Sequence, residues 1–165
     1  MKKAINIVVL IIGLVVLTLY SVIEFSNREH PVKTAEGRSD IPEIVALQDL
    51  VESQNGEISK SIYEVYFVQV DKKYSQRVES LFKNFSPRIE LGTNNASFTP
   101  NCLIDKVSQK PAKLFWATLE AQTGGEVTVD AGYYVGPEGR VDFEYRLKWS
   151  GTGWVIIARE ERTVS

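Results

Sequence analysis

The sequence contains very few of the residues on which nucleophilic and metal-dependent chemistry depends. Among its 165 residues there is one cysteine, Cys102, and one histidine, His30. An activated nucleophile needs a base and an orienting group beside it, and a metal site needs several convergent ligands. No spacing of histidine, cysteine or carboxylate residues provides such a set, and no glycine-rich phosphate loop is present. We therefore predict no catalytic triad, no metal ion and no cofactor.

The single cysteine also excludes an internal disulfide. A domain that lacks disulfides must be held together by the burial of apolar side chains. Cys102 is predicted to be a small buried hydrophobic residue, with an intermolecular disulfide as the alternative.

Positive charge is not in excess either. When Lys2 and Lys3 are set aside, 17 of the 19 lysines and arginines remain against 21 aspartates and glutamates, which gives a net charge of −4. A nucleic-acid-binding domain would carry a basic patch to meet the phosphate backbone. The charge balance therefore argues against nucleic acid as a partner.

One long hydrophobic run stands out from this mixed composition. Residues 4–23 are twenty residues without a charge, enough for a helix of about 30 Å, the thickness of the bilayer hydrocarbon core. Lys2 and Lys3 precede the run, and the positive-inside rule keeps such an end in the cytoplasm. We predict that residues 1–24 are a single transmembrane anchor in the inner (plasma) membrane, with the rest of the chain in the periplasm. A cleaved secretory signal is the alternative.

The chain after the anchor is divided into two parts by its composition. Residues 25–40 are polar and charged with almost nothing apolar, and they are predicted to form a solvated stalk. His30 lies in this stalk, where no second ligand or orienting group accompanies it. Residues 41–165 are long enough for one extracytoplasmic domain with its own core.

The domain is predicted to begin with a helix. Asp40 can cap its free N–H groups, Pro42 suits the first turn, and Glu43 complements the helix dipole. Asn55-Gly56 is predicted to end this helix in a left-handed conformation.

Residues 58–70 fit a helix or a strand. The apolar residues Ile62, Tyr66 and Val70 recur every four positions, whereas the β-branched and aromatic density is typical of a strand. We favour a helix, because residues 71–85 continue the same apolar face. Residues 88–112 are predicted to be a connection with short extended pieces.

From Lys113 onwards the apolar residues recur at every second position, which is the period of a half-buried strand. The sequence predicts four strands near residues 114–121, 127–135, 141–149 and 154–158, joined by tight turns. The predicted fold class is therefore α+β, with N-terminal helices packed on the apolar face of a curved antiparallel sheet and with charged residues on the other face.

Three segments of this meander resemble a pattern in small exported bacterial domains. They are Ala-Gly-Tyr-Tyr-Val-Gly at 131–136, Tyr-Arg-Leu at 145–147 and Gly-Thr-Gly-Trp-Val at 151–155. The overall plan also resembles the nuclear-transport-factor-two-like and cystatin-like α+β folds. The turn at 136–139 departs from the pattern, because it is tighter. The resemblance implies a fold and no activity.

Alternation brings several charged residues to the polar face of the sheet. Asp130, Asp142, Glu144 and Arg146 share this face, and Tyr134 is the only aromatic residue predicted beside them. Two carboxylates could act as general acid and base. The alternative is a solvated face with cross-strand ion pairs, each worth about 0.2–1 kcal/mol. Because we expect these carboxylates to face solvent, where they are poor acids and weak bases, we predict that the chain is not an acid/base enzyme.

Two functions fit the sequence. The first is a membrane-tethered extracytoplasmic module that binds a protein partner through this face, as an assembly factor or an immunity-type inhibitor does. The second is a small-ligand receptor or enzyme with a cone-shaped pocket between sheet and helices, lined by aromatic residues that would otherwise form the core. These aromatic residues are Phe115, Trp116, Tyr133, Phe143, Tyr145, Trp149 and Trp154. The first function is favoured because the residues that chemistry needs are missing.

Overall fold

The structure is a computed structural model, and it describes residues 39–137 and 139–162. The predicted anchor and the predicted stalk as far as residue 38 lie outside the described residues. None of the helices within the described residues has both the length and the apolar character of a membrane span.

The described residues form an α+β fold in which helices pack against a curved, mostly antiparallel sheet of six strands. The helices are α1 (Pro42–Ser53), α2 (Glu57–Ile62) and α3 (Ser75–Leu81), with a 3-10 turn at Lys72–Tyr74. The strands are β1 (Val65–Gln69), β2 (Arg88–Leu91), β3 (Ala96–Phe98), β4 (Leu103–Asp105), β5 (Ala112–Thr123), β6 (Glu126–Tyr134), β7 (Arg140–Trp149) and β8 (Trp154–Arg162).

The main sheet has the strand order β2-β1-β5-β6-β7-β8, and β3 pairs with β4 in a separate two-stranded sheet. Strand β1 runs parallel to both of its neighbours, β2 and β5. The remaining strands, β5 to β8, form an antiparallel meander. The predicted four-stranded meander is therefore confirmed, and the sheet is larger than predicted by two strands.

Helix α1 begins where its sequence predicted, but it is capped differently. Pro42 lies in the first turn, where its missing N–H is harmless. The residue at the cap position is Ile41, whose N–H donates to Ser39 Oγ at 3.1 Å. The Asp40 carboxylate forms an ion pair with Arg77 of α3 at 2.8 Å. The predicted cap is therefore wrong, because a positive charge from another helix holds the Asp40 carboxylate.

The end of α1 also differs from the prediction. Gln54 has φ −91° at the cap position and Gly56 has φ −67°, so neither residue is left-handed. Gly56 instead precedes α2 directly and occupies its cap position. The predicted left-handed ending at Asn55-Gly56 is wrong, because the chain continues into a second helix.

Residues 58–70 are divided between a helix and a strand, so the favoured continuous helix is wrong. Helix α2 ends at Ile62, and the first four residues of β1 are buried. A strand with both faces covered has no polar alternation, and its apolar run cannot be told from a buried helix by periodicity. Helix α3 lies within the predicted helical face of residues 71–85, and its Val78 is fully buried in the core.

The first face of the sheet carries the main core. Helix α1 packs against β5, β6 and β8, and its inward side chains Ala46, Leu47 and Leu50 have no exposed surface. The meander contributes Val127, Val129, Ala131, Phe143, Tyr145 and Leu147 to this core. These are the odd-numbered positions that alternation predicted to be apolar. The predicted packing of a helix on one apolar sheet face is confirmed.

The second face of the sheet is polar in only one part. A smaller core lies where the β3–β4 sheet meets β1 and the beginning of β5, and Phe67, Leu103 and Leu114 are buried there. The prediction of one charged face is corrected accordingly. Strands β3 and β4 cover one end of this face, because β1 and the beginning of β5 are apolar on both sides.

A polar contact inside the core joins α1 to the meander. The Tyr145 hydroxyl donates to Asp49 Oδ2 at 2.9 Å, and Arg159 Nη1 donates to the same oxygen at 3.1 Å. Burial, together with the negative charge of Asp49, raises the pKa of the Tyr145 phenol. The hydroxyl therefore remains a hydrogen-bond donor over the whole physiological range. The Arg159 guanidinium also lies 4.1 Å from the centroid of the Phe143 ring.

Replacing Tyr145 by alanine is expected to lower the free energy of unfolding by about 3–5 kcal/mol. The substitution deletes a fully buried ring and removes a donor from the Asp49 carboxylate. The matched control is Arg146→Ala at the next position, where the exposed side chain has an ion-pair distance of 3.9 Å to Glu160. This control should cost less than about 1 kcal/mol. Denaturant titration of the full chain in detergent measures both values, and equal costs would contradict the register of β7.

Candidate functional site

The four predicted charged site residues lie on the second face of the sheet, on neighbouring strands. Asp130 of β6 is directly opposite Glu144 of β7, and Arg146 is opposite Thr128. Asp142 is opposite Gly132, two pairs further along and therefore on the same face. We refer to the uncovered part of this face, between the β3–β4 sheet and the β7–β8 turn, as the charged face.

Tyr134 belongs to a different environment. It is half-buried against the smaller core, and its ring centroid lies 5.9 Å from that of Phe98. Tyr134 therefore does not provide the aromatic wall of the charged face. That wall is provided by Trp116 of β5, which sequence analysis placed among the candidate core residues.

The Trp116 ring lies over the backbone of Gly132, and Asp142 Oδ1 borders the same position. A Cβ atom at Gly132 would lie 2.3 Å from Trp116 Cζ2 and 2.6 Å from the Val141 carbonyl oxygen, so only glycine leaves room for the ring. The Arg140 guanidinium lies 5.3 Å from the centroid of the indole. This arrangement is a cation–π contact at the edge of the charged face.

Asp142 is buried within this arrangement, with 8% of the residue exposed. Both of its carboxylate oxygens accept from Arg140 Nε, at distances of 3.0 and 3.2 Å. The prediction that Asp142 faces solvent is wrong, because Arg140 binds its carboxylate and the Trp116 ring lies over its pairing partner Gly132. Glu144 is half-buried, with 29% of its side chain exposed, and Arg146 is exposed as predicted.

Arg162 of β8 contacts carboxylates from three other strands. Its guanidinium lies 3.4 Å from Glu120 of β5 and 3.5 Å from Asp130 of β6, and it donates a hydrogen bond to Glu144 of β7. Directly opposed like charges such as Asp130 and Glu144 repel each other, and the cation between them offsets this repulsion. We refer to these four residues as the Arg162 cluster. Its three carboxylates and one guanidinium carry a formal charge of −2.

Within the Arg162 cluster, the surroundings of Asp130 disfavour its ionised form. Burial, followed by the negative charge of Glu120, raises the pKa of Asp130 above its ordinary value, and Arg162 only partly opposes this shift. The ionised carboxylate is therefore less favourable in the folded protein than in the unfolded chain. The cluster thus retains negative charge that its own cation does not fully balance.

The arrangement is typical of an ion-paired protein surface more than of an acid/base catalytic site. The oxygens of Asp142 are occupied by Arg140, and no group of three or more His, Cys, Asp or Glu residues in the described part could hold a metal ion. Two surface depressions have volumes of 390 and 310 Å³, one between α3 and β2 and one beside residues 69–71 and 116–118. Neither depression is lined by Asp130, Asp142 or Glu144.

Lys113 is a second unusual charged group, but it lies on the other face of the sheet. Its ammonium is 4.8, 5.4 and 5.9 Å from the ring centroids of Tyr63, Tyr133 and Tyr66, and 3.5 Å from Gln54 Oε1. Burial lowers the pKa of the Lys113 ammonium, whereas the aromatic faces favour its charged form. No carboxylate in the described residues forms an ion pair with it. We interpret Lys113 as the cation that closes the end of the main core.

Sequence analysis missed Trp116, Arg140, Glu120 and Arg162 as members of the site. A signal for Trp116 was present, because an isolated glycine inside a strand, here Gly132, indicates a close approach by another group. Arg162 was missed because the last strand was predicted to end at Ala158, four residues before it.

Comparisons with protein-family models, with curated proteins and with solved structures give no match for this chain. The resemblance to nuclear-transport-factor-two-like and cystatin-like folds therefore stays a prediction.

Replacing Asp130 by asparagine is expected to raise the free energy of unfolding at neutral pH. Because the pKa of Asp130 is raised on folding from its ordinary value of 3.8, the folded protein binds this proton more tightly than the unfolded chain does. The ionised carboxylate lowers the free energy of unfolding by its full amount above the folded-state pKa. This destabilisation disappears as the pH falls through that pKa towards 3.8. The gain should stay below about 1 kcal/mol at neutral pH, because the site is partly solvated.

Urea denaturation at neutral and at acidic pH measures this difference. The matched variant is Arg162→Gln, which removes the cation and leaves three carboxylates together. It should lower stability at neutral pH, and the loss should be smaller in acid. A loss of stability in Asp130→Asn at neutral pH would contradict the assignment of Asp130 as the surplus charge.

Proposed function

We propose that this chain is a membrane-tethered extracytoplasmic module that binds a protein partner through the charged face. In this proposal residues 4–23 form a single-pass anchor in the inner membrane, the N-terminus is cytoplasmic, and the domain lies in the periplasm. The segment of twenty uncharged residues preceded by two lysines supports this topology.

The observation that carries the binding proposal is the surplus charge of the Arg162 cluster on an uncovered sheet face. Around the cluster, Arg146 faces Glu160 at 3.9 Å and Lys148 faces Glu126 at 3.8 Å, so these neighbouring charges are matched one to one. No further ion pair among residues 39–137 and 139–162 matches the formal charge of −2 that remains within the cluster. A partner that presents arginine or lysine at this position would supply the missing positive charge.

The packing beneath α1 disfavours the alternative of a cone-shaped pocket. A ligand site between helix and sheet would need space between the inward side chains of α1 and those of the meander. Leu47, Leu50 and Tyr145 fill this space and have no exposed surface. Most of the aromatic residues that could line such a pocket, including Phe115 and Tyr145, contribute to the core instead.

Assembly factors and immunity-type inhibitors both act by occupying the surface of another protein. Neither role needs an activated nucleophile or a bound metal, and both fit a rigid sheet face held at the membrane. The partner class that we propose is therefore a protein with a basic surface patch in or near the same membrane.

The proposed topology predicts that a reporter fused after Ser165 is active only outside the cytoplasm. Protease added to spheroplasts should remove the domain from the full chain. The mass of the mature protein should include Lys2, because an uncleaved anchor retains it. Protection of the C-terminus, or a mature chain that begins near residues 21–26, would contradict the anchor in its proposed form.

The proposed interface predicts position-dependent crosslinking in cells. A photoreactive amino acid at Arg146, which is exposed beside the Arg162 cluster, should give a discrete product with one partner protein. The matched control places the same amino acid at Glu79, an exposed position on α3. Glu144→Lys, which cancels the surplus negative charge, should reduce the product several-fold without changing protein level. Equal products from both positions, or no effect of the charge change, would contradict the proposal.

A further inference from the structure

An exposed apolar hairpin ends the meander. Residues 149–158 contain no charged side chain. Within this stretch Trp149 is 43% exposed and Ile157 is 46% exposed, although both are large apolar residues. The rings of Trp149 and Trp154 meet edge to face, with centroids 5.4 Å apart. Neither the proposed partner-binding face nor the main core accounts for the exposure of Trp149.

The same hairpin holds the beginning of the folded domain. The Trp154 backbone N–H donates to the Ser39 carbonyl oxygen at 3.3 Å, and its indole N–H donates to the Asp40 carbonyl oxygen at 3.1 Å. Ser39 is buried, so the chain is fixed at this point. The described part of the chain therefore begins directly beside the tryptophan pair.

The distance from the predicted anchor to this point is limited by the chain. Fifteen residues, 24–38, separate Ile23 from Ser39, and they can span at most about 54 Å. A tether of this length keeps the domain at a high local concentration next to the lipid surface. Even a weak preference for that surface is then sufficient for binding.

We propose that the tip of the β7–β8 hairpin lies in the lipid–water interface of the membrane that holds the anchor, with the Trp149 ring among the headgroups. Tryptophan is enriched at this depth, because its ring is apolar and its indole N–H is polar. The Asp40 carboxylate beside the pair is neutralised by Arg77 at 2.8 Å, which reduces the cost of bringing this region to lipid. The inference rests on the proposed anchor.

Fluorescence quenching by lipids with brominated acyl chains tests the inference. The full chain is reconstituted into phosphatidylcholine vesicles with and without these lipids, as two variants that each keep one tryptophan. Trp116→Phe/Trp154→Phe keeps Trp149, and Trp149→Phe/Trp154→Phe keeps Trp116 on the opposite face. Emission from Trp149 should fall at least about twofold in brominated vesicles, because interfacial tryptophan lies close to the acyl chains. Emission from Trp116 should not change.

Two further measurements separate the possible failures. Extraction with alkaline carbonate shows whether the chain stays in the vesicles, so release of the chain would mean that the anchor itself has failed. A retained chain whose Trp149 emission is the same in both vesicles would overturn this inference and leave the anchor intact. Protection of Trp149 from acrylamide without quenching by brominated lipid would identify a protein surface as its cover, which also overturns the inference.

If the double variants do not fold, the single variants Trp149→Phe and Trp116→Phe give the same answer. The fraction of total emission that brominated lipid quenches should fall in the first and not in the second. An equal quenched fraction in both single variants would contradict the position proposed for Trp149.

Discussion

The structure depends on the need to cover both faces of β5 where that strand begins. Residues from Ala112 to Phe115 are all buried, because β5 pairs there with β1, which is itself buried on both faces. Helix α1 and the associated core cover one side, and the β3–β4 sheet covers the other. The long connection between β2 and β5 therefore has a structural role, since without it Phe67 and Leu114 would face water.

The charged face exists because this double cover ends part of the way along β5. Beyond Ala117 the strand is exposed on its second face, and the alternation of β6 and β7 places charged residues there. Carboxylates on adjacent strands then face each other, and Arg162 separates them at the end of β8. Trp116 marks the boundary, because it packs against the smaller core and also lies over Gly132, the pairing partner of Asp142.

The parts of the fold that the sequence predicts well are those with one covered face. Strands β6 and β7 keep a period of two, so alternation identifies them and puts Tyr145 and Leu147 on the buried side. Strand β1 could not be predicted in this way, because a strand covered on both faces has a continuous apolar run. The charged face was predicted in outline, since Asp130 and Glu144 share it. The burial of Asp142 on this face was not predicted, because the packing of Trp116 on Gly132 depends on three strands at once.

The two faces of the sheet differ in how much change they tolerate, and this difference bears on the proposed function. On the α1 side, Tyr145 and Arg159 both donate to Asp49, so the loss of Asp49 would leave the Tyr145 hydroxyl without its acceptor. On the charged face, exposed pairs such as Arg146 with Glu160 contribute little to stability, so their residues can vary without loss of the fold. A surface of this kind can be adapted to a partner while the core keeps the domain folded. The proposal therefore places recognition on the charged face, whereas the α1 side stabilises the fold.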